Sequence, residues 1–184
     1  MNVNGLTLRN IVEFKGHEGE PCFMGNIYIG ATKIAEWSQD SHGAIIDNLR
    51  MEPEFDEDKL RDKITEFNGM TSYTYAGEEY NFDYTLEDAM CDILTLRESE
   101  NSFWKALKSG YDGVVELHSN HNVNSFFVKK DIFKMPDQKI KEMLTHENEK
   151  TMADVSVHRF ISPNDFNKGT VIAISDIRAD VKEV

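Results

Sequence analysis

The first fifty residues consist of short apolar segments separated by turn residues, and this arrangement restricts the fold more than any other feature of the chain. Residues 22–29 and 32–37 contain the alternation of apolar and polar side chains that is typical of half-buried strands, and Gly30-Ala31 between them fits a tight turn. A strand-rich run covers residues 6–14, and residues 44–46 are predicted to return as a short edge strand. Together they predict an antiparallel β-meander over residues 6–47.

Helical patterns begin after the meander. Pro53 is predicted to open a first helix, because proline is favoured in the first turn, and Asn68-Gly69 to end it. Its apolar stripe is Leu60, Ile64 and Phe67, at spacings of four and three. A second helix is predicted to begin after Thr85, which has the position and chemistry of an N-cap.

The rest of the chain mixes both kinds of element. A further helical segment is predicted at 102–109, either separate from the second helix or joined to it as one helix broken at residues 98–101. Residues 70–84 are compatible with a strand, a loop or a hairpin. The remaining predicted elements are strands at 113–117, 125–128, 155–160 and 171–174 and a helix at 136–147. Because strands are segregated at the start and mixed with helices later, the predicted class is α+β, an N-terminal antiparallel β-meander followed by a mixed helix/strand region.

The size of the chain predicts one domain. It has 184 residues, of which 40% are hydrophobic and 29% charged, values typical of a globular protein. We expect a single domain over 1–184 that could divide into two lobes, a β-meander lobe at 1–51 and an α+β lobe at 52–184.

The negative charge is concentrated in the middle of the chain. The formal net charge is -13, and residues 52–100 hold fifteen acids against four bases, whereas residues 101–184 hold twelve of each. Such regional acidity favours either a surface that meets a basic partner or a set of solvated helix faces, and the sequence leaves these alternatives balanced.

Cysteine content and the N-terminus predict the compartment. The two cysteines, Cys22 and Cys91, are far apart in apolar surroundings, which is typical of buried thiols in a reducing compartment. The chain starts without the basic and apolar regions of a signal peptide and contains no apolar run long enough to cross a bilayer. We therefore expect a cytoplasmic protein that has no membrane partner.

No motif for a cofactor, a metal or a catalytic residue stands out. His118 and His121 share a polar loop, but a closed zinc site needs about four ligands and no acid lies at a recognised spacing from them. We predict no cofactor, no metal site and no catalytic residue. A metal-dependent nuclease acting on RNA, using these histidines and scattered acids, remains an alternative hypothesis.

One basic cluster is a weak candidate for nucleic-acid binding. Lys129, Lys130 and Lys134 are interleaved with Phe126, Phe127 and Phe133, and further lysines follow at 139 and 141. Lysines beside aromatic residues can track phosphates and stack on bases. The alternative is a solvated surface whose aromatic residues belong to the core.

Two acidic patches are the leading candidates for partner binding, with Trp37 as a shape-specific anchor from the predicted hairpin. They lie on or beside predicted helices, at residues 52–66 and 78–92. The predicted partner-binding acids are Glu54, Asp56, Glu57, Asp58, Asp62, Glu78, Glu79 and Asp83.

Four segments carry a family resemblance. They are Phe14-Lys-Gly-His-Glu-Gly-Glu-Pro-Cys22, Gly25-Asn-Ile-Tyr-Ile-Gly30, Lys33-Ile-Ala-Glu-Trp-Ser-Gln-Asp-Ser-His-Gly43 and Ala106-Leu-Lys-Ser-Gly-Tyr-Asp-Gly-Val-Val115. The chain resembles small accessory proteins carried by phages and mobile elements of low-GC Gram-positive bacteria, over about two-thirds of its length. Some of these are anti-CRISPR proteins, which inhibit the RNA-guided nuclease of type II systems.

The resemblance implies function without chemistry. It implies a non-enzymatic inhibitor in the cytoplasm of a bacterial host that binds the Cas nuclease or its guide RNA complex, and it supplies no catalytic residues. A second hypothesis is an acidic DNA-mimic decoy for restriction enzymes. The oligomeric state is left open, and a homodimer is compatible with the sequence.

Overall fold

The computed structural model describes residues 1–40, 44–75, 78–119, 122–145 and 155–180. These residues contain three α-helices and eleven strands, which confirms the α+β class and its N-terminal antiparallel sheet. The chain divides into two compact units. The discontinuous unit is Asn2–Leu94 with the segment from Asn167 onward, and the inserted unit is Thr95–Phe166 with Met1. The single domain with lobes at 1–51 and 52–184 stays a prediction.

A six-stranded sheet forms the base of the discontinuous unit. Its strands, in the order β11-β1-β2-β3-β4-β5, are antiparallel except for the parallel pair β1 and β11. Their bounds are β1 Asn2–Val3, β2 Leu6–Lys15, β3 Pro21–Ile29, β4 Thr32–Ser38, β5 Asn48–Met51 and β11 Asn167–Lys168. The edge strand predicted at residues 44–46 was placed too early, since β5 begins at Asn48.

Cross-strand pairs explain the register of this sheet. Leu6 lies opposite Ile29 and Leu8 opposite Ile27, and all four side chains are buried. A bulge between Arg9 and Val12 interrupts the pairing with β3, and Asn10 within it has a φ of 55°. The bulge explains why the apolar alternation of the sequence fails at this point.

Helix α1, Glu57–Asn68, follows the sheet. Its N-cap is Asp56, whose side chain accepts a hydrogen bond from the backbone N–H of Lys59 at 3.1 Å. Gly69 ends the helix with a φ of 67°. The predicted start at Pro53 is wrong, because Pro53 lies in the turn before the cap and a carboxylate that can accept from the first turn is a better cap.

A hairpin and the long helix α2 complete the middle of the chain. Strands β6, Met70–Tyr75, and β7, Glu78–Asp83, form a two-stranded antiparallel sheet of their own. Helix α2, Leu86–Lys108, begins in the discontinuous unit and ends in the inserted unit. The break predicted at residues 98–101 is wrong, because α2 runs through them without interruption and buries the side chain of Ser99.

The inserted unit packs a three-stranded antiparallel sheet against helix α3. The sheet has the order β10-β8-β9, and its strands are β8 Gly113–His118, β9 Val123–Val128 and β10 Ser156–Phe160. Helix α3, Asp137–Thr145, buries Ile140 against Val115, Leu117 and Val128. These apolar residues form the core of one face of the sheet.

The segment from Asn167 onward differs from its prediction. Residues 171–173 form no strand, and Ile174–Ile177 is a 3-10 helix. Two apolar residues of this segment, Ile172 and Ile177, are nevertheless buried in the core. The backbone N–H of Ile172 donates to the carbonyl of Asn4 at 3.0 Å.

Two further expectations concern the burial of the cysteines and a helix that could span a membrane. Cys22 is buried as expected, but Cys91 is exposed, because its position on α2 does not face the core. Within the described part of the chain, no helix combines the length and the apolar character needed to cross a membrane. The cytoplasmic location stays a prediction.

Candidate functional site

Strand β7 of the hairpin is exposed along its whole length. All six residues of β7 are exposed, including Tyr80 at 41% and Phe82 at 40%. Large aromatic side chains are usually covered when a strand lies on a core. We call this two-stranded ribbon the arm; exposed aromatic side chains such as those on its strand β7 are typical of surfaces that bind a partner.

The register of the hairpin separates its residues into two faces. Glu78, Tyr80 and Phe82 alternate along β7 on one face, and the Tyr80 hydroxyl donates to Glu78 Oε2 at 3.0 Å. Glu79, Asn81 and Asp83 lie on the other face. Each face therefore carries acid, and the first also carries aromatic surface.

The chain segment that contains the hairpin carries acids and no bases of its own. From Ile64 to Leu96 the sequence contains seven acids and no Lys, Arg or His. Three of these acids, Glu78, Glu79 and Asp83, are on β7. The hairpin therefore has no basic residue on its own strands to neutralise it, and its field favours a positively charged partner.

The acids at the start of α1 have structural tasks that the sequence did not reveal. Asp56 caps the helix, and Glu57 accepts from Arg61 Nε at 2.8 Å. Glu54, Asp58 and Asp62 are exposed. Only these three of the five acids predicted around α1 are thus fully presented to solvent.

Basic residues partly neutralise α1. Lys59 pairs with Asp180 at 2.6 Å, Lys63 with Glu66 at 2.6 Å, and Arg61 also reaches Glu87 at 2.9 Å. The carboxylates of Glu57 and Glu87 outweigh partial burial and raise the pKa of Arg61. The first predicted patch is therefore a helix surface of mixed charge. In the second patch Glu87 and Asp92 also pair with bases, Arg61 and Lys168, so the unneutralised acids are those of β7.

The acids at the start of α1 and the hairpin acids are attached at opposite ends of that helix. Asp56 precedes the helix and the hairpin follows Gly69, which places their attachment points about 18 Å apart at 1.5 Å per residue. The acids at the start of α1 are therefore separated from the start of the hairpin by the length of the helix. The acids of the hairpin form the compact group.

Trp37 lies in the core of the six-stranded sheet. Its side chain is 2% exposed, and its indole N–H has no hydrogen-bond partner among the described residues. In this conformation it offers a partner almost no surface. The aromatic residues that are presented, Tyr80 and Phe82, could have been found from their alternation with acids in residues 78–83.

The predicted basic residues lie on the inserted unit. Lys129 and Lys130 follow β9, and Lys134 ends a 3-10 helix over Ile132–Lys134. All three are exposed, whereas Phe126 and Phe133 are partly buried against the core. Phe127 is exposed at 38% and is the member of this group that could stack on a ligand.

Sequence reasoning missed a buried carboxylate on β8. Glu116 is 1% exposed and accepts hydrogen bonds from Ser99 at 2.8 Å and Ser125 at 3.0 Å. His118 Nε2 lies 2.9 Å from the same carboxylate, and its ring is 4.1 Å from that of His158. Burial alone would raise the pKa of Glu116, but the bonds from His118, Ser99 and Ser125 outweigh it and lower the pKa.

Neither histidine nor cysteine chemistry creates a metal or nucleophile site among the residues described. No group of three or more His, Cys, Asp or Glu side chains there is arranged to hold a metal ion, and His121 lies outside them. Partial loss of solvent raises the pKa of the Cys91 thiol, and the carboxylates of Asp88 and Asp92 raise it further. A high pKa disfavours the thiolate that a nucleophile requires.

The open face of the six-stranded sheet contains a shallow depression of about 380 Å³. Val12 and Met24 supply its exposed apolar surface, and polar residues at positions 10, 26, 36, 38, 48 and 50 surround them. Glu36 in its wall forms an ion pair with Lys33 at 2.6 Å. The hydrogen bond from Lys33 lowers the pKa of Glu36 most, and the charge of Lys33 lowers it further.

Comparison with known proteins adds no assignment. No family model, no curated protein and no solved structure matches the chain. The function therefore has to be argued from the residues and surfaces described above.

Proposed function

We propose that the protein is a host-defence inhibitor that binds a positively charged surface of its target through the hairpin of β6 and β7. The observation that carries this proposal is the exposure of every β7 residue, with Glu78, Glu79 and Asp83 and no base on the hairpin. The target we propose is a type II CRISPR-Cas effector nuclease or its guide RNA complex.

Two independent features support this target. The first is the resemblance of residues 14–43 and 106–115 to accessory proteins of phages and mobile elements, some of which are anti-CRISPR proteins. The second is electrostatic, because such an effector holds nucleic acid in a positively charged channel. An acidic arm can compete for that channel, with long-range attraction raising the rate of association.

The aromatic face gives the arm more than charge. Tyr80 and Phe82 lie next to Glu78 on one face of β7. Aromatic residues at the centre of an interface often contribute most of the binding energy, and surrounding charges contribute specificity. In the proposed complex these two rings are covered by the partner, while the acids meet its basic rim.

The test is inhibition of target-DNA cleavage by a purified type II effector at two salt concentrations. The Glu78→Lys/Glu79→Lys variant should inhibit at least about tenfold more weakly, since like charges across an interface cost on the order of several kcal/mol. Reversal at Asp56 and Glu57 is a poorer test, because it also removes a helix cap and an ion pair.

The matched control is Glu13→Lys/Glu18→Lys, which changes the net charge equally at exposed positions of the same unit. It should inhibit as the unchanged protein does. Equal inhibition by both variants would remove the hairpin from the mechanism. Inhibition of a restriction endonuclease as strong as that of the Cas effector would favour the acidic decoy instead.

A further inference from the structure

A second exposed aromatic group lies on the inserted unit, away from the acidic sequence. The rings of Tyr111 and Phe127 meet edge to face, with centroids 5.9 Å apart and planes inclined at 61°. They are 40% and 38% exposed. Lys129 Nζ lies 5.4 Å from the centre of the Tyr111 ring and also donates to the carbonyl of Gly110.

Backbone hydrogen bonds anchor Tyr111 to the neighbouring regular elements, and Phe127 lies within β9. The N–H of Tyr111 donates to the carbonyl of Ala106 on α2, and that of Asp112 donates to the carbonyl of Val128 on β9, both at 3.0 Å. Phe127 lies opposite Val114 in the register of β8 and β9. The backbone that carries the two rings is therefore fixed before any ligand arrives, which limits the conformational entropy lost on stacking.

The surroundings of the rings are basic, although the whole chain is acidic. Residues 101–134 contain five lysines and three acids, and one of the acids is the buried Glu116. Asp112 is engaged by the backbone N–H of Lys130 at 2.9 Å, and Asp131 is exposed. No ion pair with another described residue involves Lys105, Lys108, Lys129, Lys130 or Lys134.

The last two turns of α2 carry further exposed aromatic and basic residues. Trp104, Leu107 and Lys108 lie at spacings of three and four, so they share one face of the helix, and all three are exposed. Exposed aromatic rings among lysines provide the two contacts that a single strand of nucleic acid offers, base faces and phosphates. A duplex hides its base faces and cannot use the first contact.

We propose that the Tyr111/Phe127 pair and the lysines around it form a binding site for single-stranded nucleic acid. Bases stack on the two rings, and Lys129 and Lys130 contact the flanking phosphates. Stacking accepts every base, so binding has little sequence preference. The site is independent of the acidic hairpin and does not rest on the proposed inhibition.

The test is fluorescence anisotropy with labelled single strands of RNA and of DNA, about 16 nucleotides long to cover the usual site size. The full chain should bind them at about 50 mM salt and more weakly at about 200 mM. The Tyr111→Leu/Phe127→Leu variant keeps apolar surface but loses both aromatic faces. It should bind at least about tenfold more weakly, while Lys129→Gln/Lys130→Gln should also reduce the salt slope by about 1.4.

Two controls make the result specific. Lys15→Gln, an exposed lysine of the discontinuous unit, should bind as the unchanged chain does, and circular dichroism should report every variant folded. Equal affinity for a blunt duplex, or no loss in the leucine variant, would overturn the proposal. The proposal would also be overturned if the chain bound no oligonucleotide at low salt but bound a protein partner at this surface.

Discussion

Glu116 carries a negative charge at a position where solvent reaches 1% of the residue. Two serine hydroxyls and His118 surround its carboxylate, and their hydrogen bonds keep its pKa below the ordinary value despite burial. The residue is held by helix α2 through Ser99 and by strand β9 through Ser125. A single carboxylate therefore connects three elements of the inserted unit.

Replacing this carboxylate should destabilise the inserted unit in a pH-dependent way. At pH 7, Glu116→Gln is expected to lower the free energy of unfolding by about 1–3 kcal/mol, because charge-assisted bonds become neutral ones. Since the folded-state pKa is depressed, the stabilisation is fully present above the ordinary value of about 4.3 and is lost as the pH falls through the folded pKa. Hydrogen exchange of residues 113–118 between pH 7 and pH 3 measures it.

Glu98→Gln is the matched control, because Glu98 is exposed on the same helix. It should leave exchange in β8 unchanged at either pH. A difference between Glu116→Gln and the unchanged chain that stays constant down to pH 3 would contradict the assignment of the effect to the carboxylate charge.

Helix α2 begins with a reciprocal pair of side-chain bonds. The Thr85 hydroxyl accepts from the N–H of Asp88 at 3.3 Å, and Asp88 Oδ2 accepts from the N–H of Thr85 at 2.8 Å. Such a capping box satisfies two donors that would otherwise lack partners at the helix start.

Removing the cap should fray the first turn. Thr85→Ala is expected to cost about 1 kcal/mol and to speed amide exchange in residues 86–89. Thr95→Ala, at an exposed position within the same helix, should have no such effect and serves as its control. Equal exchange at residues 86–89 in the two variants would show that the Thr85 hydroxyl contributes nothing to the helix start.

Elements with a clear period could be predicted, and those set by tertiary contacts could not. The alternation in residues 22–37 predicted β3 and β4, and the apolar spacing of Leu60 and Ile64 predicted α1. The sequence assigns Ser99 to a helix break because it lies between two glutamates. In the fold its hydroxyl donates a hydrogen bond to Glu116, seventeen residues later. No local pattern announces a partner so distant in the chain.

The sequence predicted the charge of the candidate surfaces but not which side chains they expose. Charge is a sequence property, so the acids of residues 78–83 and the lysines around residue 130 were found without coordinates. Exposure depends on the fold, and it distinguishes the exposed Tyr80, Phe82 and Phe127 from the buried Trp37. The structural tasks of Asp56 and Glu57 also depend on partners that only the folded chain brings near.

The discontinuous unit depends on the far end of the described chain. Ile177 is fully buried, the N–H of Asp56 donates to its carbonyl at 2.9 Å, and Lys59 pairs with Asp180 at 2.6 Å. Ile172 is buried as well, next to the backbone bond with Asn4. The segment after Phe166 therefore completes a core that begins at residue 2.

Shortening Ile177 should loosen this unit alone. Ile177→Ala is expected to lower its stability by about 2–5 kcal/mol, the usual cost of such a truncation in a core. Exchange should rise in residues 57–68, and β8 of the inserted unit should keep its protection. Ser175→Ala, an exposed neighbour, is the control, and uniform loosening of both units would show that they do not unfold separately.

The return of the chain at Asn167 also dictates an order of events during synthesis. A ribosome adds residues from the N-terminus, so all of residues 95–166 are joined to the chain before Ile172 and Ile177. The inserted unit is therefore complete in sequence before the six-stranded sheet has received its last strand, β11. Until then the apolar side chains that those isoleucines will cover remain open to chaperones and proteases.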